Sequence, residues 1–410
     1  MVERFDAVVI GGGQAGMVAS RALTARGVDH VVLEQARVAE RWRSARWDSL
    51  RFQFPNSVLG LPGMPYDGDD PEGFAHHTEV LQRLERYAAA TRVPLREQTR
   101  VTSLVRHGPS WTATTEDGEV RARAVVLATG PFQRPRLPAL ARDLPADVHQ
   151  VHAQDYRSPD ELPDGGVLVV GSGASGAQIA EELLGAGRAT YLCVSRHRWV
   201  PRRFLGQDVF HWLIRLGVMD RTRADWVDGR MPPTVLVTGI GGGHDLDVRG
   251  LGDQGATLLG SLLGIAGDEV MVAEDAGAIL DAADGLHDET VRAIRNLAAN
   301  QGLDLPAEQP SAPRARPRAV PTLSLRGAGI TSVVWATGYS FDYDWVRPAC
   351  TGAAGEPVQR RGVSPMEGLY FLGLHWMHTF KSGTFLGVGD DAEHVADHLV
   401  RTALPARTGS

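Results

Sequence analysis

Two glycine spacings carry the chemistry of this chain. Gly11, Gly13 and Gly16 form GxGxxG where an apolar run from Phe5 to Ile10 gives way to an alanine-rich segment ending at Arg26. In such a turn the first glycine permits the sharp reversal, the second lets a pyrophosphate approach the backbone, and the third lets a helix lie close to the strand. The helix N-terminus then offers its unbonded amides to the phosphates. Glu34 follows Gly16 by 18 residues, at the end of the next β-branched run, where a carboxylate accepts hydrogen bonds from a ribose diol. These residues predict a dinucleotide site.

Gly171, Gly173 and Gly176 repeat the spacing after Val167 to Val170, but the next run ends in Ser195, Arg196, His197 and Arg198, with no acid at the ribose position. A hydroxyl and guanidinium groups bind a 2′-phosphate that a carboxylate would repel, so this site is expected to prefer NADPH over NADH. A glutamate-ended turn and an arginine-ended turn on one chain imply two different dinucleotides. FAD in the first and NADPH in the second is the simplest assignment, because a flavin that turns over must be reduced.

Two such turns need two strand-helix-strand units to hold them, which predicts an α/β fold with two Rossmann-like dinucleotide-binding domains. The motifs lie 160 residues apart, too far for a solenoid repeat of about 20–50 residues. Strand patterns also end in the shared triplets Ala128, Thr129, Gly130 and Ala336, Thr337, Gly338, which suggests paired crossings between the two domains. The expected organisation is an FAD-binding domain from residues 1–150 and 334–410, with an NADPH-binding domain over 151–333. Within the latter, about 274–320 is expected to be a helical insertion, with Ile279, Ala283, Leu286, Val291, Ile294 and Leu297 on its apolar face, followed by a proline-rich connection. A packing helix and a lid over the site are both open readings of it.

Composition removes other classes. Of 410 residues 47 are glycine, above the usual share of about 7%, while 43% hydrophobic and 22% charged residues are ordinary for a globular chain. A net charge of -7 gives no global field for nucleic acid or an anionic membrane. The longest apolar stretches fall short of the ~20 residues that span a bilayer, and the start has no export-signal pattern, so a soluble, cytoplasmic protein is expected. Cys193 and Cys350 form no CxxC pair and are expected to be buried fillers.

With these motifs in place, the chain resembles the flavin-containing monooxygenases of the two-dinucleotide type, in particular the shorter members that include the plant YUCCA enzymes and bacterial homologues. The likeness covers most of the chain: GGGQAG, Trp42 and Arg43, WDSL from Trp47 to Leu50, LPGMP, VVLATGPFQRP, VHAQDY, VLVVGSGASGAQIAEEL, WVPRR, VVWATGY, and GLYFLGL followed by KSGTFLGVG. The family fingerprint FxGxxxHxxx(Y/F) is half present: His152 and Tyr156 match, whereas Ala146 and Val148 stand where phenylalanine and glycine would. The Baeyer-Villiger branch carries tryptophan at the position of Tyr156, so ketone-to-ester oxygenation ranks below heteroatom oxygenation.

The resemblance implies an NADPH-reduced FAD that reacts with O2 to give a C4a-(hydro)peroxyflavin, which oxygenates a small amine or thioether or oxidises a 2-oxo acid. It implies cofactor contacts at Trp42, Arg43, Val101, Ala128, Thr129, Gly130, Ser175, Ala336, Thr337, Gly338, Lys381 and Leu386, beside the glycines, Glu34, Ser195, Arg196 and Arg198. It also implies an amide near the reacting flavin carbon: an ungapped match places Gln53 there, with Asn56 nearby. Backbone amides of a helix beginning near Leu386 to Gly389 are expected against the flavin pyrimidine. A flavin reductase or oxidase without oxygen insertion, a Baeyer-Villiger enzyme and a non-catalytic flavin-fold protein are the alternatives. A homodimer is left open.

Other groupings stay ambiguous. Lys381 is either a solvated amine or a contact to flavin or NADP+ phosphate. His375 with His378, and His76 with His77, lack the acid or cysteine a metal site would add. The run Gly241 to Asp245 imitates a third glycine loop and is expected to be a flexible loop near the substrate. Trp199, Phe204, Phe210 and Trp212 either line a pocket or pack an interface.

Overall fold

A computed structural model describes residues 2–225, 234–307, 314, 317 and 320–404. Eight α-helices lie among them: α1 (Gln14–Thr24), α2 (Glu40–Ser44), α3 (His77–Ala90), α4 (Ala174–Gly185), α5 (Val209–Arg215), α6 (Val248–Asp253), α7 (Ala276–Asn300) and α8 (Val388–Thr402). None is long and apolar enough to cross a membrane.

The first glycine turn belongs to an eight-stranded sheet. Strand Val2–Ile10 lies parallel between His30–Leu33 and Gly118–Leu127, which carries the sheet on through Ser110–Thr115, Val101–His107 and Val346–Arg347. The end of Gly118–Leu127 is flanked by Leu369–Phe371 from the far end of the sequence. The second turn belongs to a five-stranded, wholly parallel sheet ordered Thr257–Leu259, Thr190–Cys193, Gly166–Val170, Ile330–Trp335, His149–His152. Its strands are Val- and Leu-rich without alternation because both faces are covered. The boundaries expected at 150/151 and 333/334 cut through two strands that lie wholly in this sheet, so the chain leaves the first sheet before His149 and returns after Trp335.

The two connections meet. Arg134–Pro135 pairs antiparallel with Tyr339–Ser340, shortly after the two Ala-Thr-Gly triplets. Fingerprint residue His152 fastens them: its Nε2 donates to the Gly338 carbonyl at 3.1 Å and its Nδ1 accepts from the Gln154 amide, which is neutral imidazole geometry. Burial holds it below its usual range. Tyr156 donates to Glu182 of α4 at 2.9 Å.

The helix at 276–300 is present, but its buried stripe is Ala276, Leu280, Ala283, Thr290, Ile294 and Ala298, turned from the expected face; Ile279, Leu286, Val291 and Leu297 flank it half-buried. The first half packs against the second sheet's core, and Ile294 and Ala298 pack with Val209, Phe210, Trp212 and Leu213. α7 is a packing strut. Most of the proline-rich connection lies outside the described residues. Cys193 and Cys350 are buried in separate clusters, and burial pushes the Cys193 thiol up to about 12 and that of Cys350 up to about 11.

The loop holding LPGMP is fastened by Arg83 of α3, whose side chain is 3% exposed. Its Nε donates to the Leu59 carbonyl at 2.7 Å, one terminal nitrogen to Asp67 at 2.8 Å and the other to the Met64 and Pro65 carbonyls. Removing this fork strands buried acceptors, so Arg83→Ala is expected to cost about 3 kcal/mol in urea unfolding, with Arg83→Lys recovering less than half.

Candidate functional site

Each glycine turn is closed by an approach that forbids a side chain. A Cβ on Gly16 would stand 1.8 Å from the Gly11 carbonyl oxygen, and one on Gly176 equally 1.8 Å from that of Gly171. Gly11, at φ +114°, passes within 2.5 Å of the Ala128 carbonyl by the same measure, and Gly171, at φ +103°, within 2.7 Å of that of Ala336. The two Ala-Thr-Gly triplets therefore occupy equivalent places beside the two turns. Gly13 and Gly173 differ, since a Cβ there would meet nothing within 4 Å. They are the N-caps of α1 and α4, neither of which has a side-chain cap. Open space before unbonded helix amides is a cradle that fits a pyrophosphate in both halves.

The ends of the second strands complete the parallel. The Gly12 amide donates to Glu34 Oε2 at 2.6 Å and the Ala36 amide to Oε1 at 2.9 Å. In the second half the Ser172 amide donates to Ser195 Oγ at 3.0 Å. Glu34 and Ser195 thus hold the same structural position with opposite chemistry. Burial raises the Glu34 carboxyl above its usual range despite the two amides. Val101 opens a strand two residues after Thr99, whose amide bonds the Glu34 carbonyl. Ser175 lies in the first turn of α4. Arg196 is exposed next to Ser195.

Several expected contacts are occupied elsewhere. Arg43 turns to Glu85 of α3. Arg198 donates to Thr290 of α7 at 2.6 Å, a brace on that helix. Lys381 lies 3.0 Å from both Asp220 and Asp390, a tether between a turn and α8. Asn56 is committed at both ends of its amide, Nδ2 to the Asp70 carbonyl at 2.9 Å and Oδ1 to the Ala75 amide at 2.6 Å, and acts as a loop clamp. Thr337 is tied by its hydroxyl and carbonyl to Arg136, and Thr129 accepts from Gln133. The loop Gly241 to Asp245 is pinned: the Arg203 guanidinium donates to the Gly242 and Gly243 carbonyls, and Asp245 accepts from the Arg202 amide.

Gln53 is left with its amide unbonded among the described residues, half-buried. Its position is fixed through its carbonyl, which accepts from Arg202 at 2.8 Å. Arg202 is 2% exposed, lies 2.6 Å from Asp208 and sits 4.1 Å over the Phe74 ring. The residues on either side of Gln53 belong to an aromatic cluster: Phe52 is 6.2 Å from Trp42 and 5.4 Å from Phe385, and Phe54 stacks on Phe210 at 4.1 Å. Leu386 borders the same core, and α8 begins at Val388. The loop before α8 reaches the first turn, where Gln14 Nε2 donates to the Gly383 carbonyl at 2.7 Å. Phe210 and Trp212 are buried packing residues, whereas Trp199 stacks on His287 at 3.6 Å beside another cleft.

That other cleft, of about 550 Å³, is walled by Asp245, Asp247, Asp281, Asp284 and Asp288 with Arg249 and Arg314. Its carboxylates would repel phosphates, so it is not a dinucleotide site. No group of three or more His, Cys, Asp or Glu among the described residues could hold a metal.

The glycines separate fold from binding. Gly13→Ala is expected to keep the melting temperature within about 2 °C while lowering bound FAD at least tenfold, and Gly173→Ala to do the same to NADPH affinity. Gly16→Ala and Gly176→Ala are expected to lose folded protein as well, read by thermal unfolding beside flavin absorbance.

Comparison with known proteins agrees with this geometry. The profile of the pyridine nucleotide-disulphide oxidoreductase family matches residues 8–212. An uncharacterized CzcO-like oxidoreductase of Geobacillus kaustophilus is 30% identical over 96% of this chain and 98% of its own. A probable indole-3-pyruvate monooxygenase, YUCCA1 of Arabidopsis thaliana, is 31% identical over 50% of each chain. A flavin-containing monooxygenase from Stenotrophomonas maltophilia shares the fold at a TM-score of 0.68, with 20% identity over 97% of this chain and 99% of that one. The chain therefore belongs to the pyridine nucleotide-disulphide oxidoreductase family, and half of it is similar to a flavin-dependent monooxygenase.

Proposed function

We propose that the protein is an FAD- and NADPH-dependent monooxygenase that transfers one atom of O2 to a small molecule, at nitrogen or sulfur or on a 2-oxo acid. The observation that carries this reading is the pair of glycine turns, alike in geometry and opposite at the ribose position, with Glu34 in one and Ser195 in the other. The turn with Gly13 and Glu34 would hold FAD and the turn with Gly173 and Ser195 NADPH, which together would supply the reducing equivalents and the activated oxygen. The overall balance is substrate, O2, NADPH and a proton giving oxygenated product, NADP+ and water, with CO2 as a further product where a 2-oxo acid is converted to the acid one carbon shorter.

The chain's own residues have three tasks. The Gln53 Nε2 amide donates a hydrogen bond to the oxygen being transferred, from a backbone that Arg202 holds in place. Phe52 and Phe54, the sequence neighbours of Gln53, belong to a ring cluster with Trp42, Phe210 and Phe385, an apolar setting in which a hydrogen bond is stronger and loss of oxygen as peroxide slower. Ser195 and Arg196 take the 2′-phosphate of NADPH. A protein dithiol has no part in this, since the two cysteines are buried far apart in sequence and in separate clusters.

The test is turnover under ¹⁸O2 with NADPH and a panel of amines, thioethers and 2-oxo acids, read by mass spectrometry. One ¹⁸O in a product supports the reading; NADPH consumed with equal H2O2 and no labelled product for any class would make the protein a reductase or oxidase. Gln53→Leu is expected to cut labelled product on the order of 10- to 100-fold while peroxide rises. Ser195→Glu is expected to lower kcat/KM for NADPH about 100-fold and to leave NADH within a few-fold, measured by flavin bleaching without oxygen.

A further inference from the structure

The cleft of about 550 Å³ beside α7 carries six carboxylates in its wall, those of Glu181, Asp245, Asp247, Asp281, Asp284 and Asp288, against the two guanidinium groups of Arg249 and Arg314. None of these residues belongs to a glycine turn or to the ring cluster beside Gln53. Arg249 is part of the wall itself: it is 4% exposed and pairs with Asp281 and, at 2.8 Å, with Asp284.

Arg314 stands differently. It comes from the proline-rich connection, and its fork reaches the cleft from there: one terminal nitrogen bonds Asp247, the other lies 3.4 Å from Asp284, and the guanidinium carbon sits 5.5 Å over the Trp199 ring. Trp199 is held flat for such a neighbour. It stacks on His287 of α7 at 3.6 Å with 12° between the planes, and its Nε1 donates to Asp284 at 3.0 Å. Carboxylates at the edge and an aromatic face below are the surroundings of a planar cation. With Arg314 in place the cleft still has about 550 Å³, a size that small-molecule sites of roughly 300–1,000 Å³ share.

Two acceptors point to the same chemistry independently. His197 is 2% exposed and lies two residues before Trp199 on one strand, so both side chains share the face that packs on α7. Its Nδ1 donates to the Ser195 carbonyl at 2.8 Å, which leaves Nε2 of the neutral ring as a bare acceptor. That Nε2 is buried without a partner, and the carboxylates that act on the ring are Asp247 and Asp284, both walls of the cleft. Glu181 Oε2 is likewise buried and unpartnered, while its other oxygen meets His244. Unmet acceptors among carboxylates suit a ligand rich in N–H donors. A metal ion does not fit, since no three His, Cys, Asp or Glu among the described residues could hold one. An ammonium offers no flat face to Trp199, whereas a guanidinium carries five donors in one plane.

We propose that this cleft is a binding site for a small alkylguanidinium ligand, which lies over Trp199 between Asp247 and Asp284 in the place that the Arg314 side chain holds. Arg314 is thus a resident competitor on the chain's own connection, and the ligand displaces it. The site rests on the cleft alone and stands whether or not the chain transfers oxygen.

The test is calorimetric titration of the FAD-loaded protein with n-butylguanidine and with its neutral isostere n-butylurea, with and without Arg314→Gln. Butylguanidine is expected to bind Arg314→Gln about 10-fold more tightly than it binds the unaltered protein, and about 10-fold more tightly than butylurea binds the same variant. Adding Asp284→Asn or Trp199→Leu is expected to remove most of that preference. Equal affinity for butylguanidine with and without Arg314, equal binding of the two probes to Arg314→Gln, or a preference that survives both added substitutions overturns the proposal. So does a lower melting temperature for Arg314→Gln with no butylguanidine bound, which makes Arg314 a structural tether only. Should the added substitutions not fold, the salt dependence of butylguanidine binding to Arg314→Gln decides: weakening from about 20 to about 200 mM NaCl is expected, and its absence overturns the proposal.

Discussion

Everything in this molecule hangs on two places where no atom can be added. Between Gly16 and the Gly11 carbonyl, and between Gly176 and the Gly171 carbonyl, there is room for hydrogen only. That closeness brings each helix down onto its strand, aims the helix amides at one point and lets the Ala-Thr-Gly segment pass behind the turn. Once backbone occupies the turn, the residue at the end of the second strand is forced to face the amide after the first glycine. Its identity then decides what can be bound: a carboxylate takes hydroxyls, and a serine next to an arginine tolerates a phosphate.

The two turns, their strands, the helix at 276–300 and the dinucleotide chemistry could all be read from residue order, because glycine spacing and β-branched runs act over a few residues. What could not be read was direction. Arg43, Arg198, Lys381 and Asn56 are correct residue types near the right segments, yet each points at a partner brought in from far along the chain: Glu85, Thr290, the Asp220 and Asp390 pair, and the 70–75 loop. The stripe of α7 was misplaced for a related reason. Thr290 sits inward where it accepts from Arg198, so polarity did not mark the outer face.

Arg202 joins the two halves of the argument. It belongs to the segment that follows the second dinucleotide turn, and it holds the carbonyl of Gln53, which belongs to the first unit. Its charge is answered by Asp208 and its flat face by Phe74. Burial pulls the guanidinium down and the Asp208 carboxyl up, with the pair opposing both shifts. An ion pair so deep is weak evidence of stability and a good device for fixing one geometry. Here it fixes the amide that the proposed chemistry needs.

The order in which the strands occur along the chain has a consequence for biosynthesis. The five-stranded sheet uses only residues 149–335, so its strands emerge from the ribosome as one uninterrupted run. The eight-stranded sheet begins with Val2–Ile10 but waits for Leu369–Phe371 and α8, made well after the second sheet. Until then the edge of Val125–Leu127 and the face of α1 that meets α8 stand uncovered. Completion of the earliest-made turn is a late event, and a chain interrupted before residue 388 carries a finished second sheet beside an exposed, sticky first one.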